Sequence, residues 1–361
     1  MRCSVVIPTY RRRETLAHCL AAWEKQAPRD LDFELVVIDD GSDDGTADLL
    51  ANHRPRRHGF RFARQDNAGP ARARNRALAL ARGELVLFTG DDIEPAPDLL
   101  HQHLEAHRRQ ADPKTAILGL TCWPEGAPTT ATMRHIDGVG AQQFSYHFFE
   151  DGAEYDFRHL YTSNISLHRA LLDREVEGFS TDFPAAAFED AEYGYRLAHH
   201  GLRIRYHRAA VAWHHHPYEA RGFFRRQMRC GEMAAILWDK RPELRRYLDL
   251  DALEEARTEI LGQRSQVKAL ELEERALRLA SFYDPLPFEA ADLVLRPLFR
   301  QGYLRGLAQA LYPAEVAERI LGHLFVEQFT PALGALQQQI LRRRLPYPSA
   351  DLEALLTATG L

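Results

Sequence analysis

The sequence has little cysteine, and the few cysteines are scattered. Four occur among 361 residues, namely Cys3, Cys19, Cys122 and Cys230. They form neither a Cys-x-x-Cys pair nor the evenly spaced framework that a disulfide-rich secreted domain or a zinc ribbon requires. We therefore expect reduced thiols that pack as small apolar side chains, as in a cytosolic protein.

Long hydrophobic runs are also missing. No apolar stretch of the sequence approaches the roughly 20 residues that a membrane-spanning helix needs. A strand pattern already begins at residue 4, which predicts that there is no cleaved signal sequence. A cytoplasmic protein is the expectation, with a peripheral position at the inner face of the membrane as the alternative.

Neither sign of charge dominates the composition. Lysine and arginine total 46 and aspartate and glutamate 51, which gives a net charge of −5. No extended basic stripe is present, so nucleic acid is not expected as a partner. The short basic clusters at residues 11–13 and 342–344 are predicted to be solvated. The length allows one large domain or two smaller ones, and 45% hydrophobic residues are enough for a full core.

What the sequence does have is a pattern of short apolar runs that end in acidic residues. Residues 85–88 are apolar, they lie between Gly83 and Gly90, and Asp91 and Asp92 follow. A run this short indicates a strand covered on both faces, as in a parallel sheet flanked by helices. Ligands of such sheets bind beyond the carboxyl ends of the strands, where two carboxylates suit Mg²⁺ or Mn²⁺ that bridges to phosphates. The alternative is a polar turn, for which Gly-Asp-Asp is ordinary chemistry.

Similar units precede this strand. Strands are predicted at residues 3–7, 33–38 and 61–64, and helices at 13–26, 46–52 and 71–81. Their alternation indicates a doubly wound parallel sheet with right-handed crossovers. The strand tips near Thr9, Asp39 and Asp91 should then meet at one edge. No Gly-x-Gly-x-x-Gly motif follows the first strand, which argues against a dinucleotide-binding fold.

The pattern continues less regularly to about residue 217. A helix is predicted at residues 99–111 and strands at 115–123, 162–167, 203–206 and 209–213. The glycine-rich, aromatic stretch 124–156 either faces a substrate or folds its side chains onto the surface. Glu189 and Asp190 open a helix, and capping of its positive end is one explanation for them.

Beyond Pro242 glycine becomes sparse and the spacing becomes helical. Helices are predicted within residues 253–279, 288–311, 314–324 and 333–341. We expect a catalytic domain at residues 1–240 and a helical C-terminal region at 241–361. An apolar stripe in the latter needs a partner, which is the same chain, a second copy in a homodimer or a membrane face. The stripe comprises Leu272, Ala276, Leu279 and Tyr283.

Several motifs, in one order, resemble glycosyltransferase family 2, whose members have the GT-A fold. They are Val-Val-Ile-Pro-Thr-Tyr at 5–10, the acidic strand end at 36–46, Gly69 with Ala-Arg-Asn at 73–75, residues 83–95 and Glu189-Asp190. The likeness covers roughly residues 1–240. It implies an α/β fold with a Rossmann-like, mainly parallel sheet and metal-dependent, inverting sugar transfer. The implied donor is a nucleotide-sugar, with a UDP-sugar expected, and the implied acceptor is a hydroxyl of a glycan or a lipid-linked molecule.

The resemblance also implies roles for residues of the donor site. Asp39 would accept a hydrogen bond from the nucleotide base, as suits the imide N–H of uracil. Loop residues Pro8, Thr9 and Tyr10 would line the pocket for the base and ribose. Asp92 would bind Mn²⁺ or Mg²⁺ and Asp91 would lie nearer the ribose. Gly90 stands where many relatives have the first aspartate of an Asp-x-Asp motif, which leaves fewer carboxylates for the metal.

Further roles concern the transfer itself. Asp190 would be the catalytic base that takes the proton of the acceptor hydroxyl, and Glu189 would contact the donor or the acceptor. His214 would be a metal ligand, with His216 as its rival. Arg74 would bind phosphate through its forked donors, or else form an ion pair on the helix surface.

Two other functions fit part of the pattern. A sugar nucleotidyltransferase would share the sheet and the metal, but it would carry a glycine-rich loop with a lysine after the first strand, where this chain has Pro8-Thr9-Tyr10-Arg11. A non-catalytic protein that binds nucleotides or sugars is the other alternative. The presence of both Asp92 and Asp190 speaks against it.

Overall fold

The computed structural model describes residues 2–140, 143–144, 146–260, 268–284, 288–346 and 349–361. Its strands are β1 (Cys3–Thr9), β2 (Phe33–Asp39), β3 (Gly59–Arg64), β4 (Leu85–Thr89), β5 (Ile93–Pro95), β6 (Thr115–Cys122), β7 (Glu154–Tyr155), β8 (Asn164–His168) and β9 (Arg203–His214). Its helices are α1 (Arg13–Trp23), α2 (Thr46–Asn52), α3 (Pro70–Leu80), α4 (Leu99–Gln110), α5 (Ala131–His135), α6 (Arg169–Leu172), α7 (Glu189–His199), α8 (Ala220–Lys240), α9 (Leu250–Glu259), α10 (Ala269–Tyr283), α11 (Phe288–Leu311), α12 (Ala314–Arg343) and α13 (Ser349–Thr359).

All nine of these strands belong to one sheet, in the order β3-β2-β1-β4-β8-β6-β9-β5, with β7 paired to β9. Strands β3, β2, β1 and β4 are parallel to one another. Strand β8 is antiparallel to both β4 and β6, and β6 is parallel to β9. The predicted fold class, an α/β sheet with flanking helices and a helical C-terminal region, is confirmed.

The parallel strands β1, β2 and β4 are buried because most of their side chains are apolar on both faces, whereas β3 at the edge of the sheet is partly exposed. Every residue of β2 and of β4 is buried, as expected for a sheet covered by helices on both sides. Helix α1 covers one face with Leu16, Leu20 and Trp23. Each such side chain contributes about 1.5–3 kcal/mol when it is fully buried. This core holds the strand tips in register.

Two predictions of separate elements are wrong. Residues 203–206 and 209–213 lie in the single strand β9, whose register against β6 shifts between Gly119 and Leu120. The shift accommodates a polar interruption within one strand. Residues 314–324 and 333–341 lie in the single helix α12, which contains Pro331. Burial of apolar side chains on both sides of the proline, including Phe329 and Leu333, outweighs its cost to the helix.

The described chain divides into two compact units. One contains residues 1–127 and 148–216, and the other contains residues 128–147 and 217–361. Helix α8, which the sequence analysis did not predict, thus belongs to the helical unit. The predicted domain boundary after residue 240 stays a prediction.

The helical unit buries its own apolar stripe. Leu272, Ala276, Leu279 and Tyr283 of α10 are all at most 8% exposed, so packing within this unit accounts for the stripe. The predicted helical stretch 253–279 corresponds to α9 and α10, and its residues 261–267 lie outside the described residues. None of the described helices combines the length and the apolar character that crossing a membrane requires.

Candidate active site

The tips of strands β1, β2 and β4 meet, as the sequence predicts. Thr9 and Asp39 are register partners at the ends of β1 and β2. The hydroxyl of Thr9 donates a hydrogen bond to Oδ2 of Asp91, at 2.7 Å, just beyond the end of β4. All three side chains are buried. The parallel register therefore places a hydroxyl and carboxylates together at the edge where such sheets bind ligands.

Asp39 is fully buried, and one of its oxygens accepts no hydrogen bond. The backbone N–H of Ser42 donates to Oδ1 at 2.9 Å. Oδ2 lies 3.4 Å from Nε of Arg64, but no group of the described chain donates a hydrogen bond to it. A buried carboxylate oxygen in this state is costly unless a ligand supplies an N–H or O–H donor.

The neighbouring Asp40 has a structural task that the sequence did not reveal. Its carboxylate accepts hydrogen bonds from the backbone N–H groups of Ala68 and Gly69 and from the side chains of Gln65 and Asn67. These bonds fix the turn that starts α3. Gly69 has φ +88°, which favours glycine at this point of the turn.

Asp91 and Asp92 form a buried acidic pair with Arg12 between them. Nη1 of Arg12 lies 3.2 Å from Oδ1 of Asp91 and is bonded to Oδ2 of Asp92. Burial, together with the charge of Asp92, raises the pKa of Asp91 to about 6. Burial also acts to raise the pKa of Asp92, but hydrogen bonding to His214 and the charges of His214 and Arg12 hold it below the usual range.

The prediction that residues 11–13 form a solvated basic cluster is wrong for Arg12. Its guanidinium turns back onto two buried carboxylates, whereas Arg11 pairs with the exposed Asp43. Composition gave no sign of this difference. The available signal was position, because Arg12 follows a strand tip by three residues and buried carboxylates need a cation.

The three consecutive histidines divide between two carboxylates. Nε2 of His214 lies 3.5 Å and Nδ1 of His216 lies 4.0 Å from the same Oδ2 of Asp92. His215 instead contacts Glu94, with Nε2 2.6 Å from Oε2. Antiparallel pairing of β5 with β9 brings these residues beside the acidic pair, since Ile93 is the register partner of His214.

A stack of aromatic rings orients His214. Its ring lies parallel to that of Trp123, with 5.2 Å between centroids, and stacks on His216 at 5.8 Å. Sequence reasoning did not identify Trp123. His214 is 7% exposed, so its imidazole is held against Asp92 by packing as well as by charge.

These residues fit a hard divalent cation. The donor set of Asp92 and His214, with Asp91 adjacent, consists of carboxylate oxygens and an imidazole, which suit Mn²⁺ and Mg²⁺. The guanidinium of Arg12 shows that positive charge is favoured between the two carboxylates. Both histidines remain candidate ligands, because they approach the same oxygen.

Arg74 and Asn75 of α3 fasten the segment that leads into α7. Nη1 of Arg74 donates to Oε1 of Glu189 at 2.7 Å, and both side chains are buried. The side chain of Asn75 exchanges two hydrogen bonds of 2.8 Å with the backbone of Phe179. The ion pair predicted as the alternative for Arg74 is therefore present, although it is buried and not on the helix surface.

Asp190 is the second residue of α7 and is half-buried. The helix begins after Phe188, which has a left-handed φ of 65°, a strained conformation for a bulky residue. The backbone N–H of Ala191 donates to Oδ1 of Asp190 at 2.8 Å. Burial and the charge of Glu189 raise the pKa of Asp190 to about 7 despite the opposing charge of Arg74. Such a carboxylate is suited to accept a proton near neutral pH.

The remaining predicted residues lie at the end of β1 and just beyond it. The prediction that Pro8 and Thr9 are loop residues is wrong, because both stay in register with β2. Pro8 is half-buried and Tyr10 is 39% exposed. The guanidinium of Arg11 lies over the ring of Tyr10, 5.1 Å from its centroid. Tyr10 therefore presents an accessible aromatic face next to the buried Thr9.

Comparison with known proteins shows which family the sequence matches. The model of Glycosyl transferase family 2 matches residues 4–169. Validoxylamine A glucosyltransferase of Streptomyces hygroscopicus subsp. limoneus is 32% identical over 223 residues, which cover 55% of this chain and 48% of that protein. Poly(ribitol-phosphate) beta-glucosyltransferase of Bacillus spizizenii is 29% identical over 115 residues, 31% of this chain and 18% of that protein. The chain thus spans about half the length of the first of these relatives and less of the second.

Among solved structures, S. aureus TarS 1-349 in complex with UDP aligns with a TM-score of 0.48 and 18% sequence identity. The alignment covers 96% of this chain and 93% of that one. The family match includes strands β1 to β4, Asp39 and the acidic pair Asp91 and Asp92. Residues 4–169, slightly less than half of the chain, thus match glycosyl transferase family 2.

Proposed function

We propose that the protein is a metal-dependent, inverting glycosyltransferase that moves a sugar from a nucleotide-diphosphate donor to a hydroxyl acceptor. The observation that carries the proposal is the meeting of three strand tips. They bring Oδ2 of Asp39, which accepts no hydrogen bond from the described chain, together with the buried pair Asp91 and Asp92. Asp39, on one side of this site, suits a nucleotide base. Asp91 and Asp92, on the other side, suit a cation with its phosphates.

The nucleoside part of the donor is assigned to Asp39, to the end of β1 and to Tyr10 just beyond it. Oδ2 of Asp39 accepts no hydrogen bond from the described chain, so it can accept one from a ligand N–H. The imide N3–H of uracil is such a donor. Cytosine has a bare acceptor nitrogen at that position, so a cytidine nucleotide would oppose the carboxylate. Pro8, Thr9 and Tyr10 would line the base and ribose, and Asp91 would face the ribose.

Asp92 and His214 would hold Mn²⁺ or Mg²⁺, with His216 as the alternative to His214. When bound, the ion supplies positive charge that stabilises the diphosphate leaving group. Arg12 supplies positive charge at the same carboxylates. For Arg74 we propose support of Glu189 in preference to phosphate binding, because its guanidinium pairs with that buried carboxylate.

Asp190 is assigned the role of the catalytic base. The oxygen of the acceptor hydroxyl attacks the anomeric carbon from the face opposite to the leaving group. The new C–O bond forms as the bond to the diphosphate breaks, and the hydroxyl proton passes to Asp190. A pKa near 7 makes this carboxylate a stronger base than an ordinary aspartate while part of it remains ionised. Glu189, held by Arg74, would contact the donor or the acceptor.

The names of two relatives suggest which sugar to test first. Both are glucosyltransferases, and one of them is named for a beta product on a poly(ribitol-phosphate). We therefore propose UDP-glucose as the first donor to assay, with hydroxyl acceptors of the kind found in glycan, polysaccharide or glycolipid synthesis. A beta product from an alpha-linked donor would agree with inversion.

The test is calorimetric titration of the protein with UDP in the presence of Mn²⁺ and then of EDTA. We expect chelation to weaken UDP binding strongly, because diphosphate would otherwise face the carboxylates of Asp91 and Asp92. Asp92→Asn should lose the metal dependence, whereas the exposed control Asp43→Asn should keep it. Equal UDP affinity with Mn²⁺ and with EDTA would contradict the proposed role of the metal.

Two expectations about partners stay predictions. The C-terminal helices could join two copies of the chain, and the chain could contact the cytoplasmic face of a membrane. Leu270 and Leu341 of α10 and α12 are 59% and 80% exposed, which makes them the apolar side chains to examine. Light scattering and flotation with vesicles would test the two contacts separately.

A further inference from the structure

A second group of ligand-type side chains lies at the opposite edge of the sheet from the strand tips. Glu24 follows the end of α1, His53 follows the end of α2, and His58 precedes the first residue of β3. One carboxylate oxygen and one nitrogen from each imidazole lie within 4.8 Å of one another. None of the three belongs to the candidate active site.

The imidazole of His58 has its lone pair turned towards the carboxylate. Its Nδ1 lies 3.0 Å from the carbonyl oxygen of Gly59. A carbonyl oxygen only accepts, so Nδ1 carries the hydrogen and Nε2 of the neutral ring has a lone pair. Nε2 is 3.0 Å from Oε1 of Glu24. A lone pair and a carboxylate oxygen at this distance repel unless a proton or a metal ion lies between them.

The Nε2 atom of each imidazole in this group lacks a hydrogen-bond partner among the described residues. Nε2 of His53 and Nε2 of His58 are both buried, and no described group forms a hydrogen bond of normal geometry with either of them. The side chain of His58 is 0% exposed. Buried polar atoms of native proteins are nearly always paired. Two such nitrogens beside one carboxylate point to a ligand that bonds all three.

Aromatic packing holds the two rings in place, and the nearby cationic side chains bond to other groups. The ring of His58 packs on Phe33, with 4.8 Å between centroids, and that of His53 packs on Phe60 at 4.7 Å. The nearby guanidinium groups turn to backbone carbonyl oxygens, Arg54 to those of Ala51 and His53 and Arg57 to that of Glu24. The hydrogen bonds that the carboxylate of Glu24 accepts from the described part of the chain are long, at 3.3 and 3.4 Å, and come from the backbone N–H of Arg56.

We propose that Glu24, His53 and His58 bind a divalent transition-metal ion, with Zn²⁺ the best match, and that this ion fastens residues 53–58 to the end of α1. Bonds of about 2.0–2.2 Å around a tetrahedral ion place neighbouring ligand atoms roughly 3.3 Å apart. The pair of Glu24 and His58, at 3.0 Å, is already near that spacing. Two imidazoles favour Zn²⁺ over the oxygen-seeking Mg²⁺. Three protein ligands leave the fourth position to water.

A superficially similar group serves as a comparison. His18, Glu94 and His215 also bring their ligand atoms within 4.8 Å of one another. There both Nε2 atoms approach Oε2 of Glu94, at 2.8 and 2.6 Å, so hydrogen bonds satisfy them. His18 is also 54% exposed. Its substitution makes a matched control.

The test is titration of the metal-free full chain with Zn²⁺ by calorimetry, and with Co²⁺ by its visible absorption bands, which are intense in a tetrahedral site. Both are done in the Asp92→Asn background, so that the candidate active site does not contribute. We expect one Zn²⁺ to bind and to raise the melting temperature. His53→Ala and His58→Ala should each weaken Zn²⁺ binding by more than about tenfold. Loss of a residue that only supports a metal ligand already weakens binding by about 10- to 100-fold.

Glu24→Gln separates a loss of Zn²⁺ binding from a loss of folding, because the substitution keeps the size and an acceptor oxygen of the side chain. It too should bind Zn²⁺ more weakly, while its circular dichroism and its melting temperature without Zn²⁺ match those of the parent. His18→Ala should bind Zn²⁺ as the parent does. The proposal is overturned if the parent binds no Zn²⁺, if Glu24→Gln or His58→Ala binds as tightly as the parent, or if His18→Ala abolishes binding.

Discussion

At the scale of single residues, the carboxylates of the candidate active site differ in their surroundings. Asp92, beside Arg12 and His214, has its pKa held below the usual range and stays charged. Asp190, half-buried next to the buried Glu189, has its pKa raised to about 7. A carboxylate that is always charged suits a cation, and one that titrates near neutrality suits proton transfer. Different environments thus give one residue type two roles.

The first prediction concerns base recognition by Asp39. Asp39→Asn should weaken UDP binding by about 10- to 100-fold, since a hydrogen bond to a charged group is worth about 1.5–3 kcal/mol. CDP, which lacks the N3–H donor, should bind the parent protein poorly and lose little in the variant. Calorimetry with both nucleotides and Mn²⁺ measures the ratio. An unchanged preference for UDP over CDP would show that Asp39 does not contact the base.

The second prediction concerns the proton acceptor. Asp190→Asn should keep UDP affinity but lower the transfer rate by about 10²- to 10⁴-fold, the range for general-base catalysis. For the parent, the rate should rise with pH through about 7, because only the carboxylate form accepts the proton. Initial rates with the true acceptor measure both effects. The exposed Asp66→Asn is the control, and near-parental transfer by Asp190→Asn would leave Asp190 only a helix-start residue.

The same group predicts an effect on stability. The folded protein holds the proton of Asp190 more tightly than the unfolded chain, whose aspartates titrate near 3.8. This contribution is complete below pH 3.8 and is lost as the pH rises to and through about 7. Asp190→Asn is always neutral, so its melting temperature should exceed that of the parent at pH 8 by more than at pH 5. A difference that is the same at both pH values would contradict the raised pKa.

The residues that could be predicted are those at strand tips, because an apolar run that ends in carboxylates shows in the sequence itself. The division of the histidines could also have been predicted, since alternate residues of an extended segment lie on the same side, as His214 and His216 do. Arg12 and Trp123 could not. Their roles depend on a loop that turns back and on a contact between residues far apart in the chain.

At the scale of elements, strands and helices with clear boundary residues were predicted within a few residues. Strand β4 and helices α2 and α11 are examples, because glycine or proline flanks each of them in the sequence. Strand β9 was predicted as two strands because its bulge interrupts the apolar pattern. Helix α12 was predicted as two helices because a proline such as Pro331 usually ends a helix. In both cases packing against neighbouring elements outweighs the local signal.

The contact between α8 and α11 gives the fourth prediction. A methyl group on Gly231 would overlap the backbone of α11 at Tyr303 and Leu307, whereas one on Gly222 would meet no atom within 4 Å. Gly231→Ala should therefore lower the free energy of unfolding by about 1–3 kcal/mol or more. Gly222→Ala on the same helix should raise it by about 0.5–1 kcal/mol. Denaturant titrations measure both, and equal effects would mean that the helices do not pack this closely.

At the scale of the whole molecule, the two compact units were harder to predict than the fold class. The sequence suggested one change of texture after residue 240, but the helical unit also includes residues 128–147 and α8. In that unit Ala131 donates to the side chain of Asp284, 153 residues away, and His135 bonds to Asp292. Such long-range pairs leave no periodic trace in the sequence. A discontinuous unit is therefore invisible to an analysis of local pattern.

The last prediction follows from where the donor residues lie. Pro8, Asp39, Asp92, Asp190 and His214 all belong to the unit of residues 1–127 and 148–216. Gly231→Ala damages only packing within the helical unit, so UDP affinity with Mn²⁺ should stay within about twofold of the parent at temperatures where the variant is folded, as for distant, independent sites. Calorimetry at 15 °C, with circular dichroism as the folding control, tests this. A large loss of UDP affinity in folded Gly231→Ala would show that the helical unit supports the donor site.

Deletion after residue 240 is a poorer experiment, because it removes α11 from α8 and should leave Phe223 and Leu237 without their buried surroundings.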